Sequence, residues 1–489
     1  MRHDLTREKK MPENRARVAT RESAYIEGEP FRKPRARRLG QRKKLKRDVE
    51  VPLSREPREL RELPDPAKVA RADDAGDGDV RISDYGGPST ISRGLDGAAD
   101  MSGSDSENDV VMVSYNWGCD VSTDGGATWK LLSPYTVFPN TFAGGFCCDQ
   151  VVLYVPGVDL YVWFLQYGAD GAGQGAFRIA VATSGSVRRD PTAWTYWDFV
   201  AGDFGWPTSD MDYPDLSYSN RYLYASTDLM GSGRVTMRIQ LEELRAGGTI
   251  NFEYTDPEDG KNVWGAHLVQ QTTVMGLWAG HQDNSTLLLY RWPDGSGTYS
   301  WNTVGVAAWP NGTMSCAGPD GTDWLTKLRD FPGNAVTGGV QTPNGDIALA
   351  WTASNGQANG AGHDFKQSHV RYVEVNLATN SVVREIPVWN DDYAFAYPSL
   401  ARAGDHVGIV LGWGGASDHS NCAMGIMGDF VVWFIDASTR TTRRFGDYLT
   451  CRNAPRTGKF SAYSVWYEAH ATDTSKIIYH PYFARFGRP

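Results

Sequence analysis

Asp149, Asp212 and Asp215, His267, Tyr397, Asp447 with Tyr448, and Arg452 take matching places around apolar, aromatic-rich runs of the 489-residue chain. Two carboxylates facing one glycosidic bond can cleave it, one donating a proton while the other acts on the ring or on a water. A His or Tyr beside a uronate carboxylate can instead abstract a proton, as a lyase requires. Arg452 would then suit the carboxylate of the ligand. Trp264 and Trp278 offer flat faces on which a sugar could stack. Asp149, Asp215 and His267 are the candidates for catalysis, and Asp212, Trp278, Tyr397, Tyr448 and Arg452 those for substrate binding.

Each of these residues also has a plainer use. Asp149, Asp212 and Asp215 can tie off strand starts by accepting backbone amides. His267 lies in an apolar run and can be a satisfied core histidine. Tyr397, Tyr448 and Trp278 can pack between sheets, and Arg452 can pair with Asp447. The nine histidines form no HExxH and no His-x-His, so no cofactor is expected. "TSDMDYPD" from Thr208 leaves a structural calcium open through Asp210, Asp212 and Asp215, although it lacks the spacing and glycine of a regular calcium loop.

The elements that must position these groups are strands. Aromatic residues make up 12% of the chain and glycines number 53, a mixture that suits short strands joined by tight turns. Helical signal is scarce, with "IQLEELRAG" around Leu241 to Leu244 as its best example. One unit recurs: a small or acidic residue, an apolar strand, a turn, and a second strand rich in aromatics. Its copies start at Ser106, Cys148, Tyr213, Gly265, Gly338, Tyr397 and Phe460. That spacing fits the four-stranded blades of a β-propeller. The expected fold is therefore all-β, a propeller of seven blades over residues 86–489, with six as the alternative because the first and last copies are incomplete. Propeller ligands bind where loops converge at the channel mouth, which is where the candidate residues would meet.

"VSTDGGATWKLL", from Val121 to Leu132, falls where the outer strands of one blade should join. A short Asp can hold the turn by accepting backbone amides, glycines supply positive φ, and Trp129 can fold beneath. Ser122, Asp124, Gly126, Thr128 and Trp129 match the Asp box, Ser-x-Asp-x-Gly-x-Thr-Trp, at every specified position. In this stretch the chain resembles the sialidase-like superfamily of propellers with bacterial neuraminidase repeats. Partial echoes stand at Pro293–Trp301 and Gly318–Trp324. The resemblance implies that the box is architectural and lies at a blade edge, away from the active centre. Sialidase chemistry itself would need three arginines, a Tyr–Glu nucleophile pair and an acidic Asp. The nearest match to its Arg-Ile-Pro motif, Arg81-Ile82-Ser83, lacks the proline. Arg371, Arg402 and Arg452 sit in no diagnostic motif, and Glu468 is the one late glutamate near a Tyr.

Charge divides the chain. Residues 1–70 hold 21 Lys/Arg against 12 Asp/Glu, whereas the remainder holds 28 against 46. "RKPRARRLGQRKKLKR", from Arg32 to Arg47, contains ten basic residues and no acidic one. Residues 1–85 read as a disordered basic arm, because so little apolar surface cannot offset ordering entropy. The arm could be a solvated leader, a contact for nucleic acid or another polyanion, or a delivery signal for a secretion or packaging machine; "KLKR" resembles a processing site. No run approaches the ~20 apolar residues of a membrane helix, nor the apolar core of a secretory signal. The adjacent pair Cys147–Cys148 is expected to stay unbridged, since a disulfide between neighbours is strained. Taken together, the sequence points to a monomeric, carbohydrate-active propeller of hydrolase or lyase type. A non-catalytic glycan- or protein-binding propeller is the alternative, with the basic arm as its delivery signal.

Overall fold

A computed structural model describes residues 13–26, 49–50, 80–86 and 90–488, apart from 230–232, 257–265, 311, 330–334, 358–363, 430 and 435–437. Seven antiparallel sheets of four or five strands stand around one axis. Their innermost strands are, in order, Ser102–Asp105, Phe146–Val155, Met211–Tyr218, His267–Leu268, Val336–Gln341, Tyr393–Ala403 and Thr450–Ala454. Each touches the next, and the seventh touches the first, so the ring is closed. The seven-bladed alternative is the one adopted, and each sheet is called here by its place in this order, blade 1 to blade 7.

Blades pack face to face, so most strands are buried on both sides and read as continuous apolar runs rather than alternations. Leu160–Tyr167 and Tyr222–Leu229, the second strands of blades 2 and 3, are buried throughout. The wedge between two blades widens outward, and bulky rings fill it. Trp163 meets Phe138 and Trp194 between blades 1 and 2, and Trp309 meets Trp351 between blades 4 and 5. This packing is what the high aromatic content is for.

The innermost strands have one edge without a ladder partner, and unpaired buried amides are costly. Hydroxyls of the neighbouring blade meet them. Ser102 and Ser104 of blade 1 accept the Val152 and Tyr154 amides of blade 2 at 3.1 and 2.9 Å. Ser399 of blade 6 accepts the Cys451 amide of blade 7 at 2.9 Å.

The last blade is completed by the start of the chain. Arg81–Gly86 pairs with Lys476–Gly487, so the strand order runs 450–454, 459–469, 476–487, 81–86. Arg81-Ile82-Ser83 therefore lies in the outermost strand of blade 7, remote from the channel. Within the segment expected to be disordered, four short strands also cap outer edges. Glu13–Arg15 pairs with blade 4, Arg17–Arg21 with blade 3, Ala24–Ile26 with blade 2 and Val49–Glu50 with blade 6. The expectation of one disordered arm over 1–85 is corrected at these residues. Strands of two to five residues are too short to carry a periodicity for a sequence reading to find. The basic run Arg32–Arg47 lies outside the described residues.

The turn at Ser122–Trp129 joins the third and fourth strands of blade 1, Gly118–Ser122 and Lys130–Leu132. Asp124 accepts the Thr128 amide at 2.8 Å and its hydroxyl at 2.6 Å. Ser122 Oγ accepts the Gly126 amide at 2.8 Å and donates to Asp124 at 2.9 Å. The Trp129 indole donates to the Gly126 carbonyl and packs edge-on against Phe483 of blade 7. Gly126 has φ +99°, and a Cβ there would fall 2.3 Å from the Phe483 ring. Gly126→Ala is expected to cost roughly 2–4 kcal/mol, from the positive φ plus the clash, as measured by the urea midpoint. An unchanged midpoint would mean that the turn and the last blade are not held together as described. The Pro293–Trp301 echo joins the equivalent strands of blade 4. The Gly318–Trp324 echo instead belongs to the excursion between blades 4 and 5.

Candidate active site

Four carboxylates converge at the mouth where the inner strands begin, one each from blades 7, 1, 2 and 3. They are Asp447, Asp100, Asp149 and Asp212, and each acts electrostatically on others of the set. The backbone there departs from regular strand. Asp100, Tyr213 and Tyr397 hold positive φ of 46°, 57° and 55°, values that non-glycine residues seldom take. Register slips mark the same level in blades 2, 3 and 6, at Phe146/Gln150, Asp212/Asp215 and Ala396/Ser399. Such bulges turn side chains toward a ligand face that a regular pleat would point elsewhere.

Asp100 is almost fully buried and accepts from the Asn116 amide and the Asp447 backbone N–H, both at 2.5 Å. Asp447 accepts from Arg444 at 2.5 Å. Asp212 accepts the Tyr213 amide at 2.8 Å and Gln166 at 3.3 Å. Asp149 is buried, and its carboxyl has no hydrogen-bond partner among the described residues. Around them stand Tyr448, whose hydroxyl donates to the Gln150 carbonyl at 3.4 Å, Tyr213 edge-on to Tyr448, and Tyr397 stacked on Phe445.

Crowding sets the protonation of the group. Burial pushes Asp100 up to about 7, with Asp447 adding to the rise and Arg444 opposing it. Burial, then Asp100, Asp212 and Asp447, push Asp149 well above the carboxylate range. Asp212 is raised by burial against the Tyr213 and Gln166 hydrogen bonds. Burial works against the Arg444 charge, but Asp100 and Asp447 outweigh it and hold the guanidinium above its usual range. Burial and these carboxylates keep Tyr213, Tyr397 and Tyr448 as neutral phenols. The site thus offers a protonated carboxyl beside an Arg-paired carboxylate, the combination that acid–base chemistry needs.

The sequence candidates divide. Asp149, Asp212, Tyr397, Asp447 and Tyr448 come together at this mouth. Asp215 and His267 form a separate pair, His267 Nδ1 lying 2.8 Å from Asp215 Oδ2, while the Leu268 amide donates to the same oxygen at 2.6 Å. Burial alone would raise Asp215, yet His267 and Arg234 outweigh it and hold the carboxyl below its usual range. This pair bolts blade 3 to blade 4. His267→Leu is expected to cost about 3 kcal/mol near neutrality by stranding a buried carboxylate. The depressed pKa gives stability that is present above the unfolded value of 3.8 and lost as pH falls, so the deficit should shrink below about pH 4. Urea melts at pH 7 and pH 3.5 check this, and an equal deficit at both would rule out the charge.

Trp278 is corrected outright. It is buried at 4% exposure and stacked on Tyr290, 5.1 Å away, inside blade 4, and offers no sugar a face. Trp264 lies outside the described residues. Arg452 does not pair with Asp447 but sits further down the channel. Asp210, Asp212 and Asp215 each accept the amide of the next residue. Among the described residues no group of three or more His, Cys, Asp and Glu is arranged to hold a metal ion. Cys147 and Cys148 are bridged, against the expectation from their adjacency; the register slip at Phe146/Gln150 lets the chain turn within the pair. Cys119, Cys316, Cys422 and Cys451 are free and buried.

Two members escaped the sequence reading. Asp100 precedes an inner strand, "SGSD", with no apolar residue, so the first copy appeared to start one strand late at Ser106. Arg444 belongs to "TTRRFGDY", where a basic pair reads as solvated surface. A usable signal existed: an Asp just ahead of, or entering, the inner strand recurs as "DMS", "CDQ", "MDY" and "GDY".

No helix among the described residues is long and apolar enough to cross a membrane. No protein-family model matches the chain, and no curated protein matches it. Solved structures similar to it include a chain of a mitotic checkpoint complex, with 12% identity, 86% of this chain and 96% of that one covered, and a TM-score of 0.41. An α-L-arabinofuranosidase of Fusarium graminearum with an iminosugar inhibitor gives 10% identity, 84% and 98% coverage, and a TM-score of 0.40. An α-L-arabinanase of Penicillium chrysogenum with arabinobiose gives 9%, 79% and 92%, and 0.35. Likeness of this degree, shared between a cell-cycle assembly and two enzymes, assigns no chemistry to the chain.

Proposed function

We propose that the protein is a carbohydrate-active propeller, a glycoside hydrolase, working at the channel mouth formed by blades 7, 1, 2 and 3. The observation that carries this reading is the cluster of four carboxylates in which Asp149 is driven toward its protonated form beside the Arg444–Asp447 pair. Asp149 is the proton donor to the leaving oxygen. Asp447, held by Arg444, is the second carboxylate, acting on the sugar or on a water. Asp100 and Asp212 tune the donor by their charge.

Lyase chemistry has less support. His267 is committed to Asp215, and the tyrosines are held neutral by burial and acidic neighbours. Within the same proposal, the chain is a distant sialidase-like propeller whose Asp box is the hydrogen-bonded turn Ser122–Trp129. The hydrogen bonds of Ser122, Asp124 and Thr128 support that assignment, and Gly126 packed on Phe483 gives the box its architectural role.

The test is a screen of the purified full chain against polysaccharides, with product analysis of each one it binds. New reducing ends without an unsaturated sugar support the hydrolase. Unsaturated ends would turn the reading to a lyase, and binding without cleavage to a lectin-like module.

A further inference from the structure

A second feature of the channel lies away from the carboxylates, toward the far ends of the inner strands. There a small cavity, part of it open to solvent, is lined from blades 1, 2, 3, 4, 6 and 7. Arg452 reaches into it from Thr450–Ala454 and is only 8% exposed. Its Nε is fully buried, and the guanidinium has no hydrogen bond or ion pair among the described residues. Asn453, also lining the cavity, has a buried Oδ1 without a partner, and its amide nitrogen likewise donates to no described residue. The Tyr218 hydroxyl completes a set of donors without recorded acceptors, and Arg402 lies near enough to act on the same phenol.

The acids nearby are already engaged. Asp105 lines the cavity, but both of its oxygens accept from Arg485 at 2.5 and 3.0 Å. Asp215 feels Arg452 but is held by His267 and the Leu268 amide. A buried, unpaired guanidinium costs several kcal/mol unless something neutralises it, and unsatisfied donors nearby add to that cost. What the cavity lacks is a negatively charged acceptor.

We infer that the channel floor is a binding site for a compact oxyanion, a carboxylate, phosphate or sulfate, held by Arg452 with Asn453 and Tyr218. The site is separate from the carboxylate cluster and does not depend on the hydrolase reading. Anions should fork onto the guanidinium as Arg does with planar oxyanions.

The experiment is thermal unfolding and calorimetric titration of the full chain with sodium phosphate, sulfate and acetate, against chloride at matched ionic strength. One or more of the three should raise Tm by about 2 °C or more in a saturating manner. Preference for acetate would assign an organic carboxylate; preference for phosphate or sulfate an inorganic ion or its ester. Arg452→Gln should weaken the titrated affinity about 10-fold or more. If that variant does not fold, Asn453→Ala should weaken it several-fold on a folded chain. Stabilisation that merely follows ionic strength, or affinity unchanged in whichever of these variants folds, overturns the site.

Discussion

Asp149→Asn is expected to lower the rate of any glycosidic cleavage by about 10³-fold, within the usual contribution of a positioned proton donor, and to raise thermal stability at the same time. The amide nearly reproduces the shape of the carboxyl but cannot give up a proton to a leaving oxygen. The stability gain has a definite pH dependence. A carboxyl whose folded pKa lies above its unfolded value contributes stability below the unfolded value, and that contribution is lost as pH rises through the folded one. Burial and then Asp100, Asp212 and Asp447 put Asp149 in that class. The gain from Asn should therefore be absent near pH 3.8 and grow toward neutrality and beyond. Asp100→Asn should gain less, because both Asp100 oxygens accept N–H donors and the amide keeps only one acceptor. Turnover at substrate saturation and Tm between pH 4 and pH 9 check both halves. Turnover within tenfold of the parent would remove Asp149 from the chemistry. A lower Tm at every pH would make it a structural carboxylate.

The second large effect concerns ring closure. Arg485, in the third strand of blade 7, donates from Nε and Nη2 to the two oxygens of Asp105 in the innermost strand of blade 1. Side-chain exposures are 7% and 1%. The same guanidinium donates to the Gly125 carbonyl at 3.3 Å and lies 5.2 Å over the Phe483 ring that carries Trp129. One side chain thus ties the seventh blade to the first at both the inner strand and the outer turn. Arg485→Leu is expected to cost about 3–5 kcal/mol, because it leaves Asp105 buried without a counter-charge. Arg485→Leu combined with Asp105→Leu should recover much of that loss, since the desolvation penalty goes with the charges. Chemical denaturation of the two single variants and the double variant completes the cycle. If each single variant costs less than 1 kcal/mol, the seam is held by packing and not by this pair.

What a reader of the sequence can see follows from which elements carry a pattern. The second strands carry the clearest apolar runs, so "VVMVSY", "LYVWFLQY" and "HVGIVLGWG" announce themselves and help set the number of blades. Ser122, Asp124, Gly126, Thr128 and Trp129 act within one turn, so spacing alone reveals their task. The carboxylate cluster is different. Its members are brought together by the ring across 347 residues, as in the Asp447–Asp100 contact, and the strand that follows Asp100 is four small or acidic residues. Asp215 and His267 looked catalytic for a sound reason, an acid and an imidazole near one strand start. Only the packing of blade 3 on blade 4 shows that each is the other's partner. Trp278 looked available because aromatics are frequent in sugar sites, but a propeller of this size spends most of its Trp on filling wedges.

The strands Glu13–Arg15, Arg17–Arg21 and Ala24–Ile26 close the outer edges of blades 4, 3 and 2, and Val49–Glu50 closes that of blade 6. Cleavage of the chain between Ile26 and Val49 would leave Glu13–Ile26 attached through these ladders alone. It would convert a covalent cover into a tightly placed peptide ligand, kept by backbone ladders of three to five residues and free to exchange. Release of that peptide would uncover the outer edges of three blades side by side, each able to accept a strand from another molecule. Loss of Glu13–Ile26 would thus unmask sheet edges rather than merely shorten the chain.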